Sequence, residues 1–443
     1  MTKAHGRVLL AALFALVLSV SAALYAAATL LGGTRDGARP PGAAPHGTAA
    51  PASTGRWVSS WAAAPSGPEP GTATTGTAGR SVRNVVHTGI GGTSARITLS
   101  NLYGTRPLVI SHATVAEAAG SATAAADPAT LRPVTFHGAA RVVIPAGQQA
   151  VSDPAPLPVP PDTDMLVTTY SPTSSGPVTY HRDARQTSYL ADGDRTADTT
   201  AAAYTRTTDH WRYLTALDVL SGGADGTVVV LGDSITDGLT ATPDTNRRWT
   251  DVLARRLRTS TGADGRAHRY GVANEGVSGN RVLTDGPGHP PDNPSALTRF
   301  DRDVLGRSNA RAVVIVLGVN DLLRASPPPA PETVLSGLRT LVRRAHARGL
   351  RAVGATIMPF GGHADYTGPR EEARLRINAA IRAGGVFDAV VDFDRALRDP
   401  DDPHRLLPAY DHGDHLHPSD SGYRRMGEVF DPAVLRGRAP AAL

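Results

Sequence analysis

Short runs of apolar residues alternate with longer amphipathic segments in the second half of the chain. The apolar runs predict buried strands at Val228–Leu231, His268–Ala273, Ala312–Leu317, Arg351–Ile357 and Ala389–Phe393. The amphipathic segments predict helices at Trp249–Arg258, Glu332–Arg348 and Arg370–Ala383, and a last helix from an N-cap at Ser419 to Phe430. Strands that alternate with helices indicate a parallel sheet covered on both faces, a three-layer α/β/α architecture.

The first half has a different hydrophobic pattern, in which short β-type runs are separated by turn residues and no helical period appears. Ala95, Ile97 and Leu99 alternate with polar neighbours, so we expect one buried and one wet face there. Further strands are predicted at Val142–Ile144, Leu166–Tyr170 and Tyr213–Val219. This pattern predicts a β-sandwich or jelly roll. Aromatic residues of such a domain are usually core, with sugar stacking as the alternative for any one of Trp57, Trp61, His87, His181 and Trp211.

The chain divides into four predicted segments. Residues 1–33 combine basic Lys3 and Arg7 with an uncharged apolar stretch from Val8 to Leu31, which indicates an export signal or a retained membrane anchor. Residues 34–55 are rich in Gly, Pro and Ala and predict a disordered linker. Residues 56–222 are the predicted sandwich and residues 223–443 the α/β domain. We therefore expect an extracellular protein, secreted or anchored to the outer face of the membrane.

Composition narrows the classes of function. There is no cysteine, which excludes disulfides, thiolate catalysis and cysteine-ligated zinc. The net charge is +5, but the basic residues are spread along the chain without interleaved aromatics. Nucleic-acid binding is therefore not expected.

The candidate chemistry begins where the first predicted parallel strand ends, at Gly232, Asp233 and Ser234. Ligands of open α/β sheets bind at the carboxyl ends of the strands. Ser234 is thus a candidate nucleophile, although Asp and Ser at this position would also cap the following helix.

A base for that serine is available near the C-terminus. A serine hydroxyl needs a base to take its proton, and the base needs an orienting carboxylate. Asp414 and His417 are three residues apart in one loop, close enough to pair. A Zn²⁺ or Mn²⁺ site in the same loop is the less favoured alternative, because three His and two Asp lie within seven residues.

Two other strand ends carry possible hydrogen-bond donors. Gly276 follows the second strand, and its backbone N–H can approach a substrate closely because glycine has no side chain. Asn320 follows the third strand and offers a side-chain NH₂, while Asp321 is interpreted as a helix cap. Asn280 and Arg281 are weaker candidates for substrate binding.

Four blocks together resemble the SGNH hydrolases, also called GDSL esterases and lipases, over roughly residues 225–432. They are Gly232-Asp233-Ser234-Ile235, Gly276 in an Asn-x-Gly setting, Gly318-x-Asn320-Asp321 and Asp414-x-x-His417-Pro418. The resemblance implies a flavodoxin-like SGNH fold. The preceding β region is similar to that of a secreted actinobacterial subgroup of the family.

The resemblance also implies roles. Ser234 would be the nucleophile, His417 the general base and Asp414 its orienting acid, while the Ser234 and Gly276 N–H groups and the Asn320 side chain would form the oxyanion hole. No cofactor and no metal are implied. The expected activity is hydrolysis of carboxylic esters, with acetyl groups of polysaccharides as the first choice of substrate. A lipase or aryl esterase, or a carbohydrate-binding protein with an inert hydrolase domain, are the alternatives.

Overall fold

A computed structural model describes residues 55–259 and 269–437. The predicted export segment and all of the predicted linker except Gly55 lie outside the described residues. Within the described ranges, no helix is both long and apolar enough to span a membrane.

Antiparallel strands build the first region, as predicted. They are β1 Arg56–Ala62, β2 Gly67–Pro68, β3 Arg80–His87, β4 Ala95–Ser100, β5 Leu108–Ile110, β6 His112–Glu117, β7 Arg132–Pro133, β8 Val142–Ile144, β9 Gln149–Val151, β10 Asp164–Ser171, β11 Thr179–His181, β12 Ser188–Asp192, β13 Arg206–Thr208, β14 Trp211–Arg212 and β15 Leu214–Ser221.

The two larger sheets face each other across one apolar core. The four-stranded sheet has the order β1-β15-β4-β9, and the six-stranded sheet has the order β13-β12-β3-β10-β6-β7. Val58, Ile97 and Leu217 of the first sheet join Val86 and Val167 of the second in a single buried cluster. Burial of both inner faces is what holds two sheets together. The predicted sandwich is therefore confirmed.

One detail of the predicted pattern is wrong. Thr98 and Ser100, expected on a wet face, are buried. Thr98 pairs with Ala216, and Ala216 belongs to the apolar core of the second region. The outer face of the four-stranded sheet is therefore covered by the α/β region instead of by water.

The second region is a five-stranded parallel sheet of order β17-β16-β18-β19-β20. Its strands are β16 Gly226–Gly232, β17 Tyr270–Gly276, β18 Ala310–Val316, β19 Arg351–Ala355 and β20 Ala389–Val391. The helices are α1 Ser234–Asp237, α2 Trp249–Thr259, α3 Ala296–Phe300, α4 Val319–Leu323, α5 Pro331–His346, α6 Gly368–Arg382, α7 Phe393–Leu397 and α8 Asp420–Val429, with a π-helical turn at Asp301–Leu305 and a 3-10 turn at Pro432–Leu435.

Two groups of helices pack around this sheet, α2 with α7 and α8, and α3 to α6 with one another. The three-layer prediction is confirmed, and the long helices begin and end within a few residues of their predicted bounds. The short helices were missed because each is only one turn long. Phe393 was predicted to end a strand but begins α7, since the Asp392 side chain caps that helix by accepting from Arg395 N. His268, predicted to start β17, lies outside the described residues.

The register of the sheet aligns the strand ends. Gly232 lies beside Gly276 of β17 and beside Val316 of β18. The segments after these three residues therefore leave the sheet at the same edge, which is where the candidate residues were expected.

The two regions share an extensive interface in which β1 packs against β16 and β17. Ser59 N–H donates to Thr227 Oγ1 at 3.0 Å, and Arg96 Nη2 donates to Ser308 Oγ at 2.9 Å. The chain passes from the antiparallel sheet to the parallel one between Ser221 and Gly226. The division at residues 222 and 223 stays a prediction.

Candidate active site

Ser234 is presented by a tight turn at the end of a fully buried strand. A Cβ on Gly232 would lie 2.2 Å from Thr236 Oγ1, so only glycine permits this turn. Asp233 caps α1, because its Oδ1 accepts from Ile235 N at 3.0 Å, and the predicted capping role of Asp233 is confirmed. Ser234 is consequently the first residue of the helix.

Three side chains form a continuous hydrogen-bond chain. Ser234 Oγ lies 2.8 Å from His417 Nε2, and His417 Nδ1 lies 2.5 Å from Asp414 Oδ2. With neutral His417 protonated at Nδ1, the ring donates to the carboxylate and accepts from the serine hydroxyl. The structure thus brings together the predicted nucleophile, base and acid in the geometry that proton transfer from serine requires.

Backbone donors hold the carboxylate in place. Asp414 Oδ1 accepts from His417 N at 2.8 Å and from Leu416 N at 3.0 Å. Partial burial would raise the pKa of Asp414, but the hydrogen bonds from His417 and the backbone outweigh it and lower that pKa below its ordinary value. Asp414 therefore remains a carboxylate wherever His417 works as a base.

The same loop contains a second His–Asp pair, His415 Nδ1 with Asp411 Oδ2 at 2.7 Å. In this pair the histidine side chain is 42% exposed, against 11% for His417. Across residues 55–259 and 269–437, no group of three or more His, Asp and Glu is arranged to hold a metal ion.

Asn320 is oriented by its neighbours. Its Oδ1 accepts from Arg324 Nε at 3.1 Å, and its Nδ2 donates to Asp233 Oδ2 at 3.3 Å. These contacts fix which end of the amide carries the donor, and they leave its second N–H free for a substrate oxygen.

Burial raises the pKa of Asp233 to about 7, although Asp233 also accepts a hydrogen bond from Ile235 N, which lowers that pKa.

The predicted donor at Gly276 needs correction. Its N–H already donates to Asn274 Oδ1 at 2.9 Å, and a Cβ there would lie 2.2 Å from Asp237 N. Gly276 is therefore a packing glycine, required for the close approach of α1 to β17.

Gly279 is the better candidate. Among the described residues, the N–H groups of Gly279 and of Ser234 have no hydrogen-bond partner. Gly279 has φ +79, and its Cβ position would lie 3.5 Å from Nη2 of Arg324, the residue that orients Asn320. The sequence shows two glycines in Gly276-Val277-Ser278-Gly279 without distinguishing them, and only the turn geometry does.

Asn280 and Arg281 were the weaker candidates for substrate binding. Asn280 is fully buried, and its amide is occupied by Asn293 Oδ1, Pro294 O and Arg299, so it is structural and the substrate-binding prediction is wrong. Arg281 is partly exposed and donates to Asp285 O at 2.8 Å.

Asp321 was interpreted as a helix cap. Its carboxylate instead accepts from the backbone N–H groups of Val282 and Leu283 at 2.8 and 3.1 Å. It therefore holds the loop that follows β17 and does not cap its own helix.

A cavity of about 20 Å³, lined mostly by apolar side chains, borders the turn that carries the nucleophile, although Ser234 itself does not line it. Its border includes Asp233 and Ile235, on both sides of Ser234, and Leu416, which precedes His417. Val316, Leu317, Val319, Ile357 and Met358 form much of the remaining wall. A volume of this size accommodates a water-sized group.

Comparison with solved structures finds similar chains that match about half of this protein. An acetylxylan esterase from Geobacillus stearothermophilus is 20% identical, with 47% of this chain and 93% of that chain covered and a TM-score of 0.34. An aryl esterase from M. smegmatis is 17% identical, with coverages of 46% and 94% and a TM-score of 0.35. A GDSL-like lipase from Bacteroides thetaiotaomicron is 20% identical, with coverages of 47% and 87% and a TM-score of 0.34.

A search of curated protein sequences returns no match. The family comparison does: residues 230–425 match the model of the GDSL-like lipase/acylhydrolase family. This range contains Ser234, Asn320, Asp414 and His417. Residues 230–425 therefore form a GDSL-like lipase/acylhydrolase domain, and this domain indicates a carboxylic ester hydrolase.

Proposed function

We propose that this protein is an extracellular serine esterase that removes short acyl groups, acetyl first, from polysaccharides. The observation that carries the esterase mechanism is the chain of hydrogen bonds from Ser234 through His417 to Asp414. A base 2.8 Å from the Ser234 hydroxyl, with a carboxylate hydrogen-bonded to that base, is the arrangement of a catalytic serine.

In this mechanism Ser234 Oγ attacks the ester carbonyl while His417 Nε2 takes the serine proton. The carbonyl π electrons move onto oxygen, and the tetrahedral intermediate collapses as His417 returns the proton to the leaving alcohol. Water then attacks the acyl-serine with His417 again as base, and the acid and free Ser234 are released. Asp414 stabilises the imidazolium in both halves of the reaction.

The developing oxyanion is assigned to three donors: the N–H of Ser234, the N–H of Gly279 and the side-chain NH₂ of Asn320. All three can bond a substrate oxygen without breaking a bond within the protein. Donors that are fixed in advance are each worth on the order of 10²–10³ in rate.

The small cavity supports a short acyl group. Its walls are mostly apolar, with Asp233 and Thr356 as the polar exceptions, and its volume of about 20 Å³ suits a methyl group far better than a long alkyl chain. We therefore place the acyl methyl there and the alcohol on the open side of Ser234.

The proposed location supports polysaccharide esters as the substrate. Residues 1–33 indicate export, and an exported esterase with a small acyl pocket meets O-acylated polysaccharides outside the cell. The stacking role considered for the sandwich tryptophans gives no support at Trp61 and Trp211, which are buried and pack edge to face at 4.8 Å. Trp57 is half-buried, and Arg96 Cζ lies 4.5 Å from the centroid of its ring.

A chain-length panel tests the proposal. Turnover of acetyl, butyryl and octanoyl aryl esters is compared with acetate release from acetylated xylan. We expect kcat/KM to fall from acetyl to octanoyl, and acetate to be released from the xylan. Preference for octanoyl would replace the short-acyl proposal by a lipase, whereas aryl acetate turnover without any release from xylan would remove the polysaccharide part alone.

A further inference from the structure

A buried ion pair joins the sandwich to the active-site edge of the parallel sheet. His181, at the end of β11, donates from Nε2 to Asp237 Oδ1 at 2.9 Å and from Nδ1 to Ala64 O at 2.8 Å. Both ring nitrogens face acceptors, so the imidazole carries both protons and a positive charge. His181 and Asp237 are 3% and 4% exposed.

The charge state is consistent with the surroundings of the ring. Burial alone lowers the pKa of His181, but the charge and hydrogen bond of Asp237 and the bond to Ala64 outweigh it and leave that pKa above its ordinary value. The two side chains therefore form a desolvated cation–anion contact between the two regions.

Asp237 also accepts hydrogen bonds from the turn that contains Gly279. Its second oxygen, Oδ2, accepts from Ser278 N at 3.1 Å and from Ser278 Oγ at 2.9 Å. Ser278 immediately precedes Gly279, and Asp237 ends the one-turn helix that begins with Ser234. One carboxylate thus connects the sandwich, the nucleophile helix and the Gly279 turn.

Asn293 supplies a second connection from the sandwich to the same turn. Its backbone N–H donates to Ser66 O at 2.8 Å, and its side-chain Nδ2 donates to Ser278 O at 2.8 Å. Ser278, the residue before Gly279, is thereby held at its N–H and hydroxyl by Asp237 and at its carbonyl by Asn293, with contacts that lead back to Ser66 and His181.

We propose that His181 is a positioning residue for catalysis, which acts through Asp237 to hold the Ser278–Gly279 turn with its free N–H toward the oxyanion. The inference rests on the proposed function, in which Gly279 donates to that oxyanion. Removal of His181 leaves the Asp237 charge buried without its partner, and such a charge moves or admits water. Either response displaces the turn and weakens the transition state more than the bound substrate.

The test compares His181→Ala with the wild-type enzyme on an aryl acetate. We expect kcat to fall roughly 10- to 100-fold, less than the loss of a whole donor, with KM changed less than about threefold. Affinity for a trifluoromethyl ketone, which forms a tetrahedral oxyanion adduct with serine, should fall by the same factor as kcat. His112→Ala is the matched control, since His112 also pairs with an aspartate of the sandwich, Asp194, but is 56% exposed; its kcat should be unchanged.

A double-mutant cycle separates positioning from general weakening of the fold. If His181 acts through Asp237 on Ser278, the variant carrying His181→Ala and Ser278→Ala loses little more than the worse single variant. Multiplicative losses, or an unchanged kcat in His181→Ala, would overturn the inference.

A second variant keeps the test decisive if His181→Ala does not fold. His181→Ala combined with Asp237→Asn removes both charges and the penalty of an unpaired one, while the link to the sandwich is still cut. A wild-type kcat in this variant overturns the inference, and a lowered kcat with unchanged KM supports it. If Ser234→Ala turns over the ester at the wild-type rate, the proposed function itself would be contradicted.

Discussion

The sandwich and the parallel-sheet region use their polar residues in different ways. In the parallel-sheet region Ser234 and Asn320 follow strand ends, and Asp414 and His417 lie in a loop, with Ser234 and His417 hydrogen-bonded across this edge. In the sandwich the polar residues that are most buried hold its loops. Arg83, for example, is fully buried in β3 and donates to Ala124 O, Asp198 O and Thr168 Oγ1.

The position of a polar residue along its strand thus indicates whether it serves catalysis or holds the fold. A group at the carboxyl end of a parallel strand meets other strand ends and solvent, whereas a group within an antiparallel strand meets backbone. His181 is the instructive exception, because a sandwich residue at a strand end reaches the edge of the other sheet.

The largest effect is expected from removal of the strand-end hydroxyl. Ser234→Ala should lower kcat on aryl acetates by on the order of 10⁵, because no other group can form the acyl intermediate. Labelling by a fluorophosphonate should be lost as well. Ser336→Ala, which removes an exposed hydroxyl from α5, should leave both readouts unchanged. Retention of turnover by Ser234→Ala would end the serine mechanism.

The two His–Asp pairs of the C-terminal loop provide the next test. Asp414→Asn should lower kcat by on the order of 10⁴, since an amide behind His417 favours the wrong tautomer. Asp411→Asn is the matched change in the neighbouring pair, and its kcat should stay within about threefold because His415 does not reach the serine. Equal losses in the two variants would mean that the loop, not the Asp414–His417 pair, is what matters.

The sequence was sufficient where chemistry depends on local spacing. Ser234, Asp414 and His417 could be selected because a strand end and a three-residue interval are visible in the chain, and the periodic helices and apolar strands were equally visible. The choice between Gly276 and Gly279 was not visible, because both are glycines only three residues apart and the difference lies in which N–H group donates to Asn274. His181 was invisible as a partner of Asp237, since that contact joins residues 56 positions apart.

The interface between the two regions offers a smaller, structural test. A Cβ on Gly271 of β17 would lie 2.1 Å from Ser59 O of β1, so the strands must separate to admit it. We expect Gly271→Ala to lower the free energy of unfolding by about 3 kcal/mol, the upper end for overpacking. Gly222→Ala is the control, because its Cβ position has no neighbour within 4 Å. Chemical denaturation measures both, and equal stabilities would mean that the regions do not depend on this contact.

The buried carboxyl of Asp233, beside the nucleophile, is expected to have the smallest effect, and that effect is on the pH dependence of stability. Asp233 has a folded-state pKa of about 7, whereas its ordinary value is 3.8. The folded state therefore holds this proton more tightly than the unfolded state, and wild-type stability falls as the pH rises from about 4 to about 7.

Asp233→Asn stays neutral and does not share this loss. Relative to wild type, the variant should gain about 2.7 kcal/mol between pH 5 and pH 8, as pH 5 lies about two pH units below that folded-state pKa and each unit is worth about 1.4 kcal/mol. Urea denaturation at the two pH values measures the difference, and only the change in the difference counts, because the amide also alters the contact with Asn320. A difference that is the same at pH 5 and pH 8 would show that Asp233 is ionised throughout this range.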